Sequence, residues 1–204
     1  MILSIETKAL RAAALCVANK KDLRIYLHGV CVSVNSDNVA MVYGTNGHIL
    51  FAGQSAIDCK GSEHKPGYDI IIPADVVKKI NKKADYVDLW MMADGTYMLG
   101  DIRFTPLEGR FPDVSRVVPD RAAFANPGIC YVNPDYLVSA NEALSIYYQA
   151  GPGKCFPLLT QSSGQCVVHN GRNDAVVVVM SMRMDNLDYQ GLNKDFMQVQ
   201  QLAA

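Results

Sequence analysis

No two cysteines in this chain stand in a C-x-x-C arrangement. Cys16, Cys31, Cys59, Cys130, Cys155 and Cys166 are scattered, most of them within apolar runs. Buried, reduced thiols are therefore expected rather than a metal centre or a disulfide framework. The four histidines lack metal-ligand spacing as well, so neither a metal nor another cofactor is expected. No uninterrupted apolar run approaches the ~20 residues needed to cross a bilayer. Nor does the N-terminus read as a signal peptide, because its Ala-rich patch is short and Glu6, Lys8 and Arg11 come too early. A cytoplasmic protein with no membrane partner is the expectation. A phosphate-loop lysine, a nucleophile elbow and a metal-ligand set are also missing. The Gly-rich turn at 44–47 and scattered carboxylates are the only prompts toward an enzyme, and no catalytic residue is assigned. A net charge of −1 argues against indiscriminate nucleic-acid binding, so the distribution of charge matters more than its sum.

What is present is a chain of 204 residues, half of them apolar. It can bury roughly 70% of its unfolded surface, in one large or two small domains. Residues 24–53, RIYLHGVCVSVNSDNVAMVYGTNGHILFAG, organise the reading. Two apolar runs rich in β-branched residues flank Ser36-Asp37-Asn38, which predicts an antiparallel hairpin. Gly44 and Gly47 then let the backbone turn tightly before a strand resumes at His48.

Before this hairpin come a short strand at 1–7 and a helix at 8–19 with Leu10, Ala13, Ala14 and Val17 on one face. After it, 53–67 reads as a polar loop and the pattern restarts. A strand at 68–73 leads to a helix at 75–83, capped by Asp75, and to strands at 86–92, 96–100 and 102–105. A third start gives a strand at 129–133, a helix at 136–146 and strands at 156–160, 165–169 and 175–182. Three copies of a strand–helix–strands unit, beginning near residues 2, 69 and 129, predict an α+β layer architecture with helices on one face of antiparallel sheets.

The first two helices carry basic stripes. Val76, Val77 and Ile80 oppose Lys78, Lys79, Lys82 and Lys83, while Lys8, Arg11, Lys20, Lys21 and Arg24 cluster on or just after the first helix. Two readings stay open. The lysines solvate an outer face, or they form a surface that tracks phosphates without reading bases.

Tyr26-Leu27-His28-Gly29 and Thr45-Asn46-Gly47-His48-Ile49-Leu50 resemble the YLNG…TDGHRL pattern of the bacterial sliding clamp, the DNA polymerase III beta-subunit family. Gly109-Arg110-Phe111-Pro112-Asp113…Arg116-Val117-Val118-Pro119 is similar to that family's GRFPDYRRVLP, and Val178-Val179-Met180-Ser181-Met182-Arg183-Met184 to its VVMPMRL end. The resemblance covers residues 1–184. It implies a DNA-clamp fold in which 1–120 correspond to the middle domain (two repeat units), 121–184 to the second half of the C-terminal domain (one unit), and 185–204 to a C-terminal tail.

The resemblance further implies a non-enzymatic replication or repair processivity protein. It would capture peptides from DNA polymerase and other clamp-binding partners in a hydrophobic cleft between its two domains, and contact duplex DNA without sequence specificity. Carried over by motif, the cleft wall is Leu27, Thr45, Gly47, His48, Leu50, Pro112, Arg116, Val117, Asn133, Tyr136, Val179, Met180, Met182 and Arg183. Methionines adapt to varied apolar side chains, as linear-peptide capture requires. The DNA-contacting set would be Lys8, Arg11, Lys20, Lys21, Arg24, Lys78, Lys79, Lys82 and Lys83. Three substitutions depart from the pattern: Ile49 for Arg, Ser181 for Pro and His28 for Asn.

With about twelve units to a ring and three per chain, closure would take about four chains, and a homo-oligomer is expected. A ring-less adaptor or decoy that binds clamp-interacting peptides without encircling DNA is the alternative. In the tail, Leu192, Phe196, Val199 and Leu202 recur at helical spacing and predict a short amphipathic helix packed on the body or on a neighbour. The order Gln190…Leu192…Phe196 also loosely resembles a clamp-binding peptide.

Overall fold

The computed structural model describes residues 2–34, 39–59, 68–119, 131–160 and 164–182. The hairpin turn at 36–38, Cys130, Arg183 and the tail helix therefore lie outside the described residues. Among the described residues, eleven strands form an antiparallel framework: β1 (Ile2–Glu6), β2 (Gly29–Val34), β3 (Val39–Thr45), β4 (Ile49–Cys59), β5 (Tyr68–Pro73), β6 (Tyr86–Met91), β7 (Tyr97–Leu99), β8 (Ile102–Phe104), β9 (Leu158–Thr160), β10 (Gln165–Val168) and β11 (Ala175–Met180). Three helices accompany them: α1 (Thr7–Ala14), α2 (Ala74–Val77) and α3 (Pro134–Tyr147). The expected α+β architecture is the observed one.

The hydrogen-bonded path runs β5-β2-β3-β4-β1-β6-β7-β8. The Leu107 amide donates to the Ile71 carbonyl at 2.9 Å, so the chain after β8 returns to the outer edge of β5. β4 holds the rest together. One of its edges pairs with β3 along Leu50–Ala56, while the other is shared. Its first half pairs with β11, Ile49 opposite Val179 through Gly53 opposite Ala175, and its far end pairs with β1. β4 is thus longer than the expected strand, and 53–59 is not a polar loop. Gly53, Ser55 and Ile57 are buried while Gln54 and Ala56 are exposed, a period-two alternation that the polar composition disguised.

The main core lies between the sheet and the helices, with Leu3, Ile5, Leu10, Phe51, Ile72, Leu144, Val177 and Val179 buried in it. α1 contributes Leu10 together with small-residue packing by Ala9, Ala12 and Ala13. A Cβ on Gly44 would lie 2.0 Å from the Ala13 carbonyl oxygen, so Gly44 is there for close approach of β3 to α1 rather than for a turn. The turn itself rests on Gly47, at φ +91°.

The helices differ from expectation at their ends. α1 stops at Ala14 rather than at 19, because the Leu15 and Cys16 amides bond back to Ala12 and Ala13 in a tightened last turn and Ala18 then bonds to Leu27 (2.8 Å). α2 is one turn. Asp75 does not cap it; Pro73 precedes it without a side-chain cap, and Asp75 instead pairs with Lys20 at 2.6 Å. Asn81 takes the Lys83 amide on its side chain at 3.0 Å, a local bond that competes with helix continuation. α3 begins earlier than expected, with Pro134 at its start and the Asn133 side chain accepting from the Asp135 amide at 3.0 Å. Residues 131–133 are not a strand.

Cys16 and Cys31 are buried and free, and burial pushes both thiols up to about 12. Two cysteines depart from the expectation of buried thiols. Cys155 is exposed, and Cys166 is disulfide-bonded. No described helix is long and apolar enough to cross a membrane.

Candidate peptide-binding cleft

β11 is covered on both faces, which is why its sequence AVVVVM is a continuous apolar run. Val177 and Val179 point into the main core. Val178, on the other face, joins Leu50 and Val167 in a second, smaller cluster roofed by Val114, Val117 and Val118. Those roof residues belong to the strap that follows Gly109. Phe111 stacks on Tyr43 with ring centroids 6.3 Å apart, and the strap turns through a short 3₁₀ segment, Val114–Arg116. Asp113 starts that segment by accepting from the Ser115 amide at 3.1 Å.

Between strap and sheet lies a cavity of about 250 Å³, with Arg24, Tyr26, Leu27, Thr45, Gly47, His48, Ile49, Leu50, Pro112, Val114, Val117, Val178 and Met180 around it. Four separated stretches of sequence meet there. The floor is the end of β11 beside the start of β4, the Tyr26–Leu27 turn closes one side, and the strap forms the lid side. The β3–β4 turn is held by its own side chains. Thr45 Oγ1 donates to the Ile49 carbonyl (2.7 Å) and accepts from the Gly47 amide (3.0 Å), while Asn46 Oδ1 accepts from the His48 and Ile49 amides (2.8 and 3.0 Å). The Met180 amide donates to the His48 carbonyl at 2.8 Å, fastening β11 to this turn. Such a wall is rigid before any ligand arrives, which lowers the ordering cost of binding.

One charged side chain, Arg24, is among the residues lining the cavity. Its Nη2 donates to Asp22 Oδ2 (2.7 Å) and to the Asn46 carbonyl (3.1 Å), so it links the first turn to the β3–β4 turn. Those hydrogen bonds hold the Asp22 carboxyl well below the usual carboxylate range and push the guanidinium up. The rest of the lining is apolar or neutral, suited to apolar side chains with a few polar anchors at the rim.

Of the wall inferred from motifs, Leu27, Thr45, Gly47, His48, Leu50, Pro112, Val117 and Met180 line the cavity. Tyr136 stands one layer behind, its ring stacked on His48 at 5.9 Å. Asn133 caps α3. Val179 is a correction: it is fully buried in the main core, because the strand alternation gives the cavity to Val178 instead. Arg116 pairs with Asp113 at 3.1 Å and its side chain is 83% exposed, so it lies outside the lining. Met182 is exposed beyond the end of β11, and Arg183 is outside the described residues. Sequence reasoning missed Tyr26, Ile49, Val114 and Val178, and placed Arg24 in the DNA-contacting set instead of the cleft wall. Parity along β11 was the one available signal for Val178; the others required the fold.

The nine basic residues do not form one free stripe. Lys8 pairs with Glu6 (2.9 Å) and sits over the Tyr147 ring, Lys20 pairs with Asp75, and Arg24 belongs to the cavity. Lys78, Lys79, Lys82 and Lys83 are exposed, on the turn after α2 rather than on a helix; Lys21 is exposed and Arg11 half-buried.

No protein-family model matches the sequence, and no curated protein sequence matches it either. Solved structures do match the fold. DNA polymerase III subunit beta from Pseudomonas aeruginosa aligns with a TM-score of 0.58 at 17% identity, over 90% of this chain and 66% of that one. The beta chain of DNA polymerase III from Streptococcus pneumoniae aligns at 0.62 and 13% identity, over 90% and 65%. The corresponding subunit from Borrelia burgdorferi, solved with a natural product, aligns at 0.60 and 11% identity, over 91% and 65%. This chain spans about two thirds of the length of those subunits and has the fold of a DNA polymerase III beta-subunit sliding clamp.

Proposed function

We propose that this chain is a non-enzymatic, sliding-clamp-like processivity protein that captures partner peptides in the cavity beside the β4–β11 junction. Residues 1–120 and 121–184 are its two clamp-like domains. The observation that carries the reading is convergence: the Tyr26–Leu27 turn, the strap from Pro112 to Val117 and the end of β11 share one apolar pocket. The fold they share with the beta subunits supports it. Leu27, Leu50, Val178 and Met180 take up apolar side chains of the bound segment, and Arg24 meets its polar or acidic groups at the rim.

Fluorescence anisotropy with a labelled Gln-Leu-Phe-containing peptide tests this. Met180→Ala should weaken binding by about 1–2 kcal/mol, the cost of truncating an apolar contact of this size. Substitution of exposed Met91→Ala, on β6, should leave it unchanged. Equal affinity of both variants would refute the assignment.

Duplex DNA is contacted through Lys78, Lys79, Lys82 and Lys83, with Arg11 and Lys21 as further cations of the inferred set. Such contacts are backbone-directed and fall steeply with salt. Replacing the four turn lysines with Gln should weaken duplex binding equally for unrelated sequences and flatten its dependence on salt concentration. The pairing of Lys20 with Asp75 and of Arg24 with Asp22, which takes two cations out of a phosphate-facing surface, favours, as a second reading, a ring-less adaptor that keeps peptide capture without encircling DNA. Molar mass in solution with and without duplex DNA separates the two. A closed ring requires a stable oligomer; the adaptor requires none.

A further inference from the structure

β6 carries an exposed apolar surface away from the cleft. Among the described residues twelve large apolar side chains are exposed, and four of them, Tyr86, Trp90, Met91 and Met92, crowd onto this strand and its end. Strand alternation turns Val87 and Leu89 toward the main core, so Tyr86, Asp88 and Trp90 share the outer face. Four residues of strand separate the two aromatic positions, about 13 Å. Between them the Asp88 carboxylate accepts from Ser4 Oγ, which holds it in place. A cavity of about 460 Å³ lies here, bounded by Tyr86, Asp88 and Trp90, by Asp101 of the β7–β8 turn, and by Asn81 and Ala84 of the turn after α2. That same turn carries Lys78, Lys79, Lys82 and Lys83, all exposed.

We infer that this cavity binds unpaired bases of single-stranded DNA, which stack on Trp90 and Tyr86 while the lysines of the neighbouring turn meet the flanking phosphates. Aromatic faces beside a cationic surface are how a single strand is held, because every base has a π-face to stack. The two carboxylates add a preference among bases. Asp88 and Asp101 accept from the exocyclic amino group of cytosine, whereas thymine presents an oxygen in that place. A basic protein segment would also suit two carboxylates and two rings. The four lysines beside the cavity decide against it, since they repel cations and attract phosphate. The inference shares those lysines with the proposed duplex contact and is independent of the peptide cleft.

Trp90 is the single tryptophan of the chain, so stacking on it is directly visible. Titrating the full chain with a short oligodeoxycytidine should quench its intrinsic fluorescence. Oligodeoxythymidine of equal length and charge should bind about fivefold more weakly, the lower end of what one base-edge contact discriminates. In anisotropy measurements with the labelled oligonucleotides, Trp90→Ala should weaken binding roughly tenfold and Trp90→Phe should restore most of it, as loss and retention of a stacking platform do. Asp101→Asn should remove the preference for cytosine. Duplex DNA binding should be the same in all three variants. Binding of both oligonucleotides without quenching would be phosphate attraction alone and would overturn the inference. Quenching by an oligolysine peptide and by neither oligonucleotide would give the cavity to a basic protein segment, and would overturn it likewise. If duplex DNA binds and neither single strand does, the inference fails and the duplex reading stands. If the single strands quench and duplex DNA does not bind, the inference stands and the duplex reading fails.

Discussion

At the scale of single residues, close approach matters more than charge. Gly44 faces the Ala13 carbonyl across the α1–β3 contact, where a methyl group has no space. Gly44→Ala should cost at least about 1–3 kcal/mol in urea unfolding, because two packed elements must part. Gly151→Ala, with open space around it and an ordinary backbone, is the control and should be nearly neutral. Thiol chemistry sorts the same way. Burial pushes Cys16 and Cys31 up to about 12, whereas Cys155 is exposed. Brief alkylation at neutral pH followed by peptide mapping should modify Cys155 and spare Cys16 and Cys31. Asp22 has a depressed carboxyl because Arg24 donates to it. A lowered acid pKa contributes stability that is present above the unfolded value of about 4 and is lost as pH falls through the folded value. The Asp22–Arg24 link should therefore survive to well below pH 4, with the Asp22 carboxyl carbon titrating in NMR below the ordinary carboxylates.

At the scale of elements, the ends of helices and the faces of strands decide the site. α3 is held at its start by Asn133 and along its inner face by Ala140, Ala143, Leu144 and Tyr147. The Tyr147 hydroxyl donates to the Gln54 carbonyl at 2.7 Å and the Tyr148 hydroxyl to Asp174 at 2.5 Å, tying the helix to β4 and to the turn before β11. Asn133→Ala should cost about 1 kcal/mol, as the loss of a side-chain cap does, measured as a lowered denaturant midpoint with unchanged slope. The β11 faces make a sharper contrast. Val177→Asp would place a carboxylate in the main core and should prevent folding, while Val178→Ala should leave the chain folded, enlarging the cleft at a cost of about 1–3 kcal/mol because Val178 is itself buried in the smaller cluster.

At the scale of the whole molecule, β4 joins the described residues before 120 and after 130 into one hydrogen-bonded sheet. Its residues Ile49–Gly53 are hydrogen-bonded to β3 on one side and β11 on the other, so neither part can open without breaking the other's edge. Thermal unfolding should accordingly show a single cooperative transition by circular dichroism and by fluorescence of Trp90 together, and amide exchange should be slowest along β4. The junction also explains why the cavity exists at all. A strap from one part is laid across the outer face of a sheet completed by the other.

The sequence alone determined the local motifs and the first two repeating units. The polar turn with its Thr45, Asn46 and Gly47 carries its own hydrogen bonds, so its shape is legible in five consecutive residues, and the strand–helix–strands starts near residues 2 and 69 are legible from period and punctuation, whereas in the third unit 131–133 before the helix are not a strand. Helix lengths, the strand hidden in 53–59 and the parity of Val178 against Val179 were decided by tertiary structure. Each depends on which neighbour covers a residue, and that neighbour is remote in sequence. The basic residues show the same limit: Lys20 and Arg24 read as free cations beside one another, yet Asp75 and Asp22 claim them once the chain is folded. Pattern along a chain fixes what a segment can bury; only the fold determines against what it is buried.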